Sequence, residues 1–106
     1  ASAAAITYLC GGSVAQIKAT IDNTLANIPG IICDGAKISC AAKIAASVDA
    51  GILGYNMYKR GQQFYAGDGI VTEGADATIK NVGRLGKDGM RETNEEIISI
   101  MVDGIC

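Results

Sequence analysis

The chain has 106 residues and a formal net charge of −2, and 49% of its residues are hydrophobic. This length suits one domain, and the scattered Lys and Arg residues form no basic patch for nucleic acid or an anionic membrane. Because the chain contains no His, it cannot complete a Ser-His-Asp, Cys-His or His-ligated zinc site from its own residues. Any metal site here would need thiolate or carboxylate ligands, or ligands from outside this chain.

Two helices are predicted before a Pro-Gly break. Residues 1–9 have the Ala-rich composition of a helix interior and no initial Met, so we expect a fragment of a longer protein. Residues 13–28 are predicted as an amphipathic helix, because Ser13 and Gln16 form a capping-box sequence and Pro29-Gly30 ends the pattern. The stripe expected to face the core is Val14, Ile17, Ile21, Leu25 and Ile28.

A long Ala- and Gly-rich helix is predicted over about 34–60, with Asp34 as its N-cap. Two apolar or small-residue seams predict that this helix is central and buried. Lys43 and Asp49 interrupt it at mid-length, which excludes a membrane span. The first seam is Ile38, Ala41, Ala45, Val48, Ile52 and Tyr55, and the second is Cys40, Ile44, Ser47, Gly51 and Gly54.

The remainder is predicted as a loop and two shorter helices. Residues 61–74 form the loop, with a turn at 67–69. A third helix opens at Thr72 or Glu73 and ends at Gly86, and a last one opens with the capping-box pair Thr93 and Glu96. The expected inner residues are Ala75, Ile79, Val82, Leu85, Ile97, Ile98 and Met101. The fold class is therefore all-α, a compact single domain over 1–106 around the helix at about 34–60.

The four cysteines, Cys10, Cys33, Cys40 and Cys106, are the main candidates for chemistry. The helical composition favours reduced thiols in the cytoplasm over two disulfides. If the helix over 34–60 were continuous, Cys33 and Cys40 would lie roughly 10 Å apart along it. That separation exceeds the Cα distance of about 7 Å for a disulfide and is long for two ligands of one small cluster.

At most one of these two thiols is therefore expected to be a ligand. Cys33 is favoured because it precedes the helix, between glycines, whereas Cys40 inside the helix is typical of a small buried hydrophobe. Cys106 ends the chain, where its thiol could reach a site or simply be exposed. Asp34, Gly35 and Lys37 could bind an anion at the helix start, but without further evidence a helix cap and a solvated Lys37 are favoured.

The segments GIICDGA at 30–36 and CAAK at 40–43 resemble the C-terminal region of the L-cysteine desulfidase family, whose members are also described as serine dehydratase α-subunit-like. The resemblance covers essentially the whole chain and implies that it is about the last quarter of a longer protein. Further matching segments are Gly69-Ile70-Val71, Ala77-Thr78-Ile79-Lys80-Asn81, Gly89-Met90, Thr93 and Ile97-Ile98-Ser99-Ile100-Met101.

The resemblance implies a lyase that works without pyridoxal phosphate and carries an oxygen-sensitive [4Fe–4S] cluster. Such enzymes β-eliminate L-cysteine to sulfide, ammonia and pyruvate, or L-serine to ammonia and pyruvate. Three cysteines hold the cluster and leave one iron open as a Lewis acid. Cys33 matches the cluster cysteine of the Ile-Cys-Asp-Gly motif, and the other two would lie outside this chain. The fragment alone is therefore expected to be inactive and without a cluster.

The resemblance also suggests roles for residues around Cys33. Asp34, Gly35 and Lys37 would face the substrate carboxylate, and Lys37 is a candidate base. In related iron–sulfur serine dehydratases a C-terminal cysteine can occupy the open iron, and Cys106 is similar in position. The expected partners are the missing N-terminal part of the protein and a small amino acid, without nucleic acid or membrane; a homo-oligomer stays open, as does cysteine versus serine.

Two alternatives remain open from the sequence. In one, the chain is a non-catalytic helical interaction module whose thiols are structural. In the other, it is a thiol-based redox or zinc-binding protein, which requires at least three of the four thiols to converge.

Overall fold

The computed structural model describes residues 1–33 and 38–104, and this part of the chain is helical without a strand. The predicted all-α class is confirmed. No helix in the described ranges is both long and apolar enough to cross a membrane. The elements are α1 (Ser2–Leu9), α2 (Val14–Asn27), α3 (Ser39–Lys59), α4 (Ala75–Arg84), a π-helical segment (Leu85–Gly89) and α5 (Arg91–Asp103).

Helices α1, α2 and α3 pack against one another and form the main body of the fold. Small residues allow the close approach: a Cβ atom at Gly51 would lie 2.8 Å from the Cβ of Ala3. A Cβ atom at Gly54 would lie 2.9 Å from the Thr24 Oγ1 atom of α2. The predicted small-residue seam therefore marks the contact of α3 with both other helices.

Helix α2 begins as predicted but buries a different face. The Ser13 hydroxyl accepts from the Gln16 backbone N–H, and the Gln16 side chain accepts from the Ser13 backbone N–H, which completes the capping box. The predicted stripe does not form the buried face, and Val14 at its start is 68% exposed. The buried residues of α2 are instead the ones that contact α3 and the loop after α3, namely Ala19, Thr20, Asp22 and Asn23.

Helix α3 is central, but its burial is confined to its second half. The described helix begins at Ser39, and the predicted cap Asp34 lies outside the described residues. The expectation that both seams are buried along their length is wrong, because Ile38 is 96% exposed and Ile44 is 66% exposed. The buried residues are Ala50, Gly51 and Gly54, where α1 and α2 cover the helix.

The loop between α3 and α4 forms as predicted and is held by side chains. The turn at 67–69 uses positive φ angles at Gly67 and Gly69, and the Asp68 carboxylate accepts from the Tyr65 backbone N–H at 2.8 Å. Asn81 of α4 donates to the Ile70 carbonyl at 3.0 Å. These bonds fix the loop on α4.

The last third of the chain departs from the prediction at three boundaries. Helix α4 begins at Ala75 after Gly74, not at Thr72 or Glu73. Gly86 does not end a helix, because the backbone continues through it as a π-helical segment. The Thr93 capping box is wrong: α5 already begins at Arg91, without a side-chain cap.

Helix α5 also buries less than predicted. None of its residues is fully buried, and the predicted inner residue Ile98 is 61% exposed. On α4, the predicted inner residue Ile79 is 48% exposed. Among the described elements α5 packs against the π-helical segment and no other helix, which explains its exposure.

Candidate functional site

Cys33 lies in an irregular segment between α2 and α3. Residues 29–33 belong to no helix, since Pro29 and Gly30 follow the C-cap of α2 at Ile28. The Cys33 thiol is exposed and forms no disulfide. Of the other described cysteines, Cys10 is exposed and Cys40 is half-buried. A thiol on irregular backbone can turn toward a ligand without breaking a helix.

Two cavities meet at Cys33. The first, which we call the π-helix cavity, has a volume of about 350 Å³ and lies between residues 29–33 and the region from α4 to α5. The second, the α3 cavity, has a volume of about 340 Å³ and lies against the start of α3. The π-helix cavity is lined by residues 29–33, Val82, Leu85, Gly86, Met90 and Asn94; the α3 cavity is lined by Ser2, Ile31, Cys33, Cys40, Lys43, Ile44, Ser47 and Val48.

The structure places Cys33 and Cys40 on the same α3 cavity. The separation of the two residues was predicted for a helix that begins near residue 34, whereas the described helix begins at Ser39, so that separation stays a prediction. Cys40 is half-buried in the first turn of α3 and lines a cavity, so it is not the fully buried residue that was predicted. Both thiols therefore border one depression.

The other predicted site residues fall outside the described part of the chain. These are Asp34, Gly35, Lys37 and Cys106. Within the described ranges, no group of three or more His, Cys, Asp or Glu residues is placed to hold a metal ion. A cluster bound at Cys33 would need further ligands from other parts of the protein.

Cys10 belongs to a different part of the surface. It ends α1 and contacts Tyr55 of α3, and it lines neither cavity. Burial raises the pKa of Tyr55, and the hydrogen bond and charge interaction with Cys10 raise it further.

Sequence reasoning missed the second wall of the π-helix cavity. Leu85, Gly86 and Met90 reach it because the chain passes through a π-helical turn instead of ending a helix at Gly86. Three glycines spaced three residues apart, Gly83, Gly86 and Gly89, were the available signal. A π-helical turn is a frequent feature of functional sites.

Comparisons with known proteins give one consistent result. The family model for the serine dehydratase alpha chain matches residues 1–99. A UPF0597 protein of Desulfitobacterium hafniense (strain Y51) is 62% identical over 102 residues, which cover 96% of this chain and 24% of that protein. A UPF0597 protein of Lachnoclostridium phytofermentans is 54% identical over 100 residues, covering 94% of this chain and 24% of that protein.

A more distant relative agrees with these two. A UPF0597 protein of Treponema denticola is 45% identical over 102 residues, covering 96% of this chain and 24% of that protein. The chain thus spans about a quarter of the length of the curated relatives that it matches. No solved structure matches it significantly. Because the family model covers nearly the whole sequence, the chain belongs to the serine dehydratase alpha chain family.

Proposed function

We propose that this chain contributes Cys33 as one thiolate ligand of a [4Fe–4S] cluster in a longer, pyridoxal-independent lyase. The enzyme would β-eliminate L-serine, releasing water, or L-cysteine, releasing hydrogen sulfide, and hydrolysis would then give pyruvate and ammonia. One observation carries the proposal. In a member of the serine dehydratase alpha chain family, an unpaired exposed thiol lies where two cavities meet.

Cys33 fits the requirements of a cluster ligand. It is accessible, it forms no disulfide, and its irregular backbone leaves the sulfur free to approach iron. Since the described residues hold no complete ligand set and the chain spans 24% of its relatives, the remaining thiolates belong to other parts of the protein. When bound, the cluster would supply a Lewis acid for the leaving hydroxyl or thiol.

The walls around Cys33 suit a small amino acid. On one side Ile32, Val82 and Leu85 provide an apolar wall that would exclude water, and Asn94 offers an amide for hydrogen bonding. On the other side Lys43 and Ser47 line the α3 cavity. Water exclusion would strengthen every polar contact to a bound substrate.

The segment after Cys33 is our candidate for the carboxylate side of the substrate. Asp34, Gly35 and Lys37 follow the ligand directly in sequence, so a substrate held at Cys33 would be within reach of this segment. Lys37 Nζ is the candidate group to take the α-proton. Cys106 and Cys40 are secondary candidates for a ligand role, behind Cys33.

The remainder of the polypeptide is the proposed partner of this chain. Large apolar side chains near the cavities are exposed, including Ile38 at 96% and Ile44 at 66%. Because the relatives are about four times longer than this chain, the additional polypeptide of a full-length protein could cover these residues and bring the other thiolates to Cys33. We place the protein in the cytoplasm, where free thiols and an oxygen-sensitive cluster would persist.

The test is anaerobic reconstitution of the full-length protein with iron and sulfide. Wild type should bind iron and sulfide, gain visible absorption and release pyruvate from serine or cysteine, while Cys33→Ala should lose all three. Cys10→Ala is the matched control, because this thiol is exposed but lines neither cavity. It should retain both cluster and activity.

The variant Cys40→Ala tests whether the second thiol of the α3 cavity is also a cluster ligand. We expect this variant to keep its cluster, since Cys33 is the proposed ligand. Unchanged iron content and pyruvate release in Cys33→Ala would contradict the proposal and leave a helical interaction module with structural thiols. Comparison of serine with cysteine turnover by wild type would identify the preferred leaving group.

A further inference from the structure

A third cavity lies between α2 and the loop that precedes α4. Its volume is about 330 Å³, and it shares no lining residue with either cavity at Cys33. Side chains from α2 and from residues 63–74 line it, including Asp22, Tyr65, Thr72 and Glu73. The proposed lyase chemistry at Cys33 does not use this cavity.

Asp22 is the unusual group in this cavity. Its side chain belongs to the buried face of α2, the residue is only 6% exposed, and its Oδ1 atom has no hydrogen-bond partner. Among the described residues, no cationic side chain lines the cavity to neutralise it. A buried carboxylate without a partner is strongly unfavourable, so proteins normally pair such a group with a cation or hydrogen-bond donors.

A second unsatisfied oxygen belongs to Thr72, another residue of the same cavity wall. The Thr72 Oγ1 atom is buried without a partner, although the Thr72 backbone N–H and carbonyl are both bonded to the Thr78 hydroxyl. Thr78 is fully buried and therefore holds Thr72 in place. Because the Asp22 Oδ1 and Thr72 Oγ1 atoms are themselves covered, a ligand in the cavity would meet the remaining exposed surface of Asp22, and exposed Glu73 adds a second carboxylate.

We propose that this cavity binds the ammonium group of a small organic molecule, with Asp22 as the charge partner and Glu73 as a second acceptor. An ammonium group carries three N–H donors, which two carboxylates on one cavity can accept. Phe64 and Tyr65 also line the cavity and can offer aromatic faces to a cation.

An organic cation fits better than a bare metal ion. The described residues contain no group of three acidic or thiol ligands for a metal. The volume of about 330 Å³ greatly exceeds that of one ion and corresponds to roughly ten water molecules, at about 30 Å³ each. It therefore accommodates an ammonium group together with an attached carbon chain.

The test is calorimetric titration of the full-length protein with ethylammonium chloride, beside potassium chloride and magnesium chloride at equal ionic strength. Saturable binding of ethylammonium is expected for wild type. Asp22→Asn, which keeps the shape and removes the charge, should weaken binding by about tenfold or more, as expected for loss of a charged hydrogen bond. Asp76→Asn is the matched control, because this exposed carboxylate lies on the neighbouring α4 and outside the cavity.

Thermal stability gives an independent readout. Ethylammonium should raise the melting temperature of wild type and not that of Asp22→Asn. Without ethylammonium, Asp22→Asn should melt at the same or a higher temperature, since it removes an unpaired buried charge. A lower melting temperature would overturn the proposal, because it would mean that a cationic side chain elsewhere in the polypeptide already pairs with Asp22.

Glu73→Gln keeps the test decisive if Asp22→Asn fails to fold. This exposed side chain keeps its size and loses its charge, so the variant should fold and should bind ethylammonium several-fold more weakly. Wild-type affinity in Glu73→Gln, absence of saturation in wild type, or equal binding of potassium or magnesium would each overturn the assignment.

Discussion

Asn23 is a single polar side chain that joins three parts of the fold. Its Nδ2 atom donates to the carbonyls of Gly54 and Gln62 at 3.2 Å each, and its Oδ1 atom accepts from the Phe64 backbone N–H at 2.9 Å. The residue is fully buried. Helix α2 is therefore fixed both to α3 and to the loop that carries the third cavity.

Asn23→Ala should destabilise the full-length protein by about 3 kcal/mol, because it leaves a buried N–H and two carbonyls without partners. The measurement is the free energy of unfolding from urea titration. Asn27→Ala, at the exposed end of the same helix, is the control and should change stability by less than about 0.5 kcal/mol. Equal losses in both variants would contradict the role of Asn23.

Tyr55 provides a prediction on pH dependence. Burial first, and then the contact with Cys10, raise its pKa above the ordinary value of 10.0. The folded state therefore favours the protonated phenol of Tyr55. The contribution of Tyr55 to the free energy of unfolding is complete below pH 10.0, and it is lost as the pH rises through the pKa of the folded state. The difference in ultraviolet phenolate absorbance between wild type and Tyr55→Phe reports the ionisation of Tyr55. The midpoint of this difference should lie above pH 10.0.

Cys10→Ala separates the causes of this shift. It removes the hydrogen bond and the charge interaction but leaves the burial of Tyr55. The titration midpoint should fall partway toward the ordinary value. An unchanged midpoint would assign the whole effect to burial.

At the scale of elements, the contact between α2 and α3 depends on the missing side chain at Gly54. Its Cβ atom would lie 2.9 Å from Thr24 Oγ1 and 3.1 Å from the Thr20 carbonyl oxygen, so α2 would have to move. Gly54→Ala should therefore destabilise the full-length protein by about 1–2 kcal/mol, even though alanine favours the helix. Gly83→Ala on α4, where nothing lies within 4 Å, should instead be neutral or stabilise by up to about 1 kcal/mol. Urea unfolding of both variants measures the sign of each change in the free energy of unfolding. A stabilising effect of Gly54→Ala would contradict the close packing of α2 on α3 at this glycine.

Sequence predicted the elements that depend on local chemistry. The capping box at Ser13 and the break at Pro29 follow from neighbouring residues, and both are found in the structure. The π-helical segment at 85–89 was not predicted, because it requires a shifted hydrogen-bond pattern that no side chain specifies alone. Cys33 is a candidate ligand from the sequence alone and stays a prediction, whereas the Asp22 cavity required knowledge of which α2 face is buried.

At the scale of the molecule, the described residues leave much apolar surface without cover. The structure measures 52 × 28 × 16 Å, and its smallest dimension is little more than the helix diameter of about 10–12 Å. A sequence pattern indicates which residues favour burial but not what buries them. The exposed large apolar residues of α3 are Ile44, Ile52 and Leu53.

The proposal that the rest of the polypeptide covers this surface makes Ile44 a test residue. Ile44 is 66% exposed here and lines the α3 cavity beside Cys33. If the remainder packs on it, Ile44→Asp should destabilise the full-length protein by about 3 kcal/mol or more, because it buries an unpaired charge. Asp49→Ser, an exposed polar position on the same helix, should change the free energy of unfolding by less than about 0.5 kcal/mol. An equally small effect of Ile44→Asp would mean that this face stays open to solvent, and the missing cluster ligands would then have to approach Cys33 from the π-helix cavity instead.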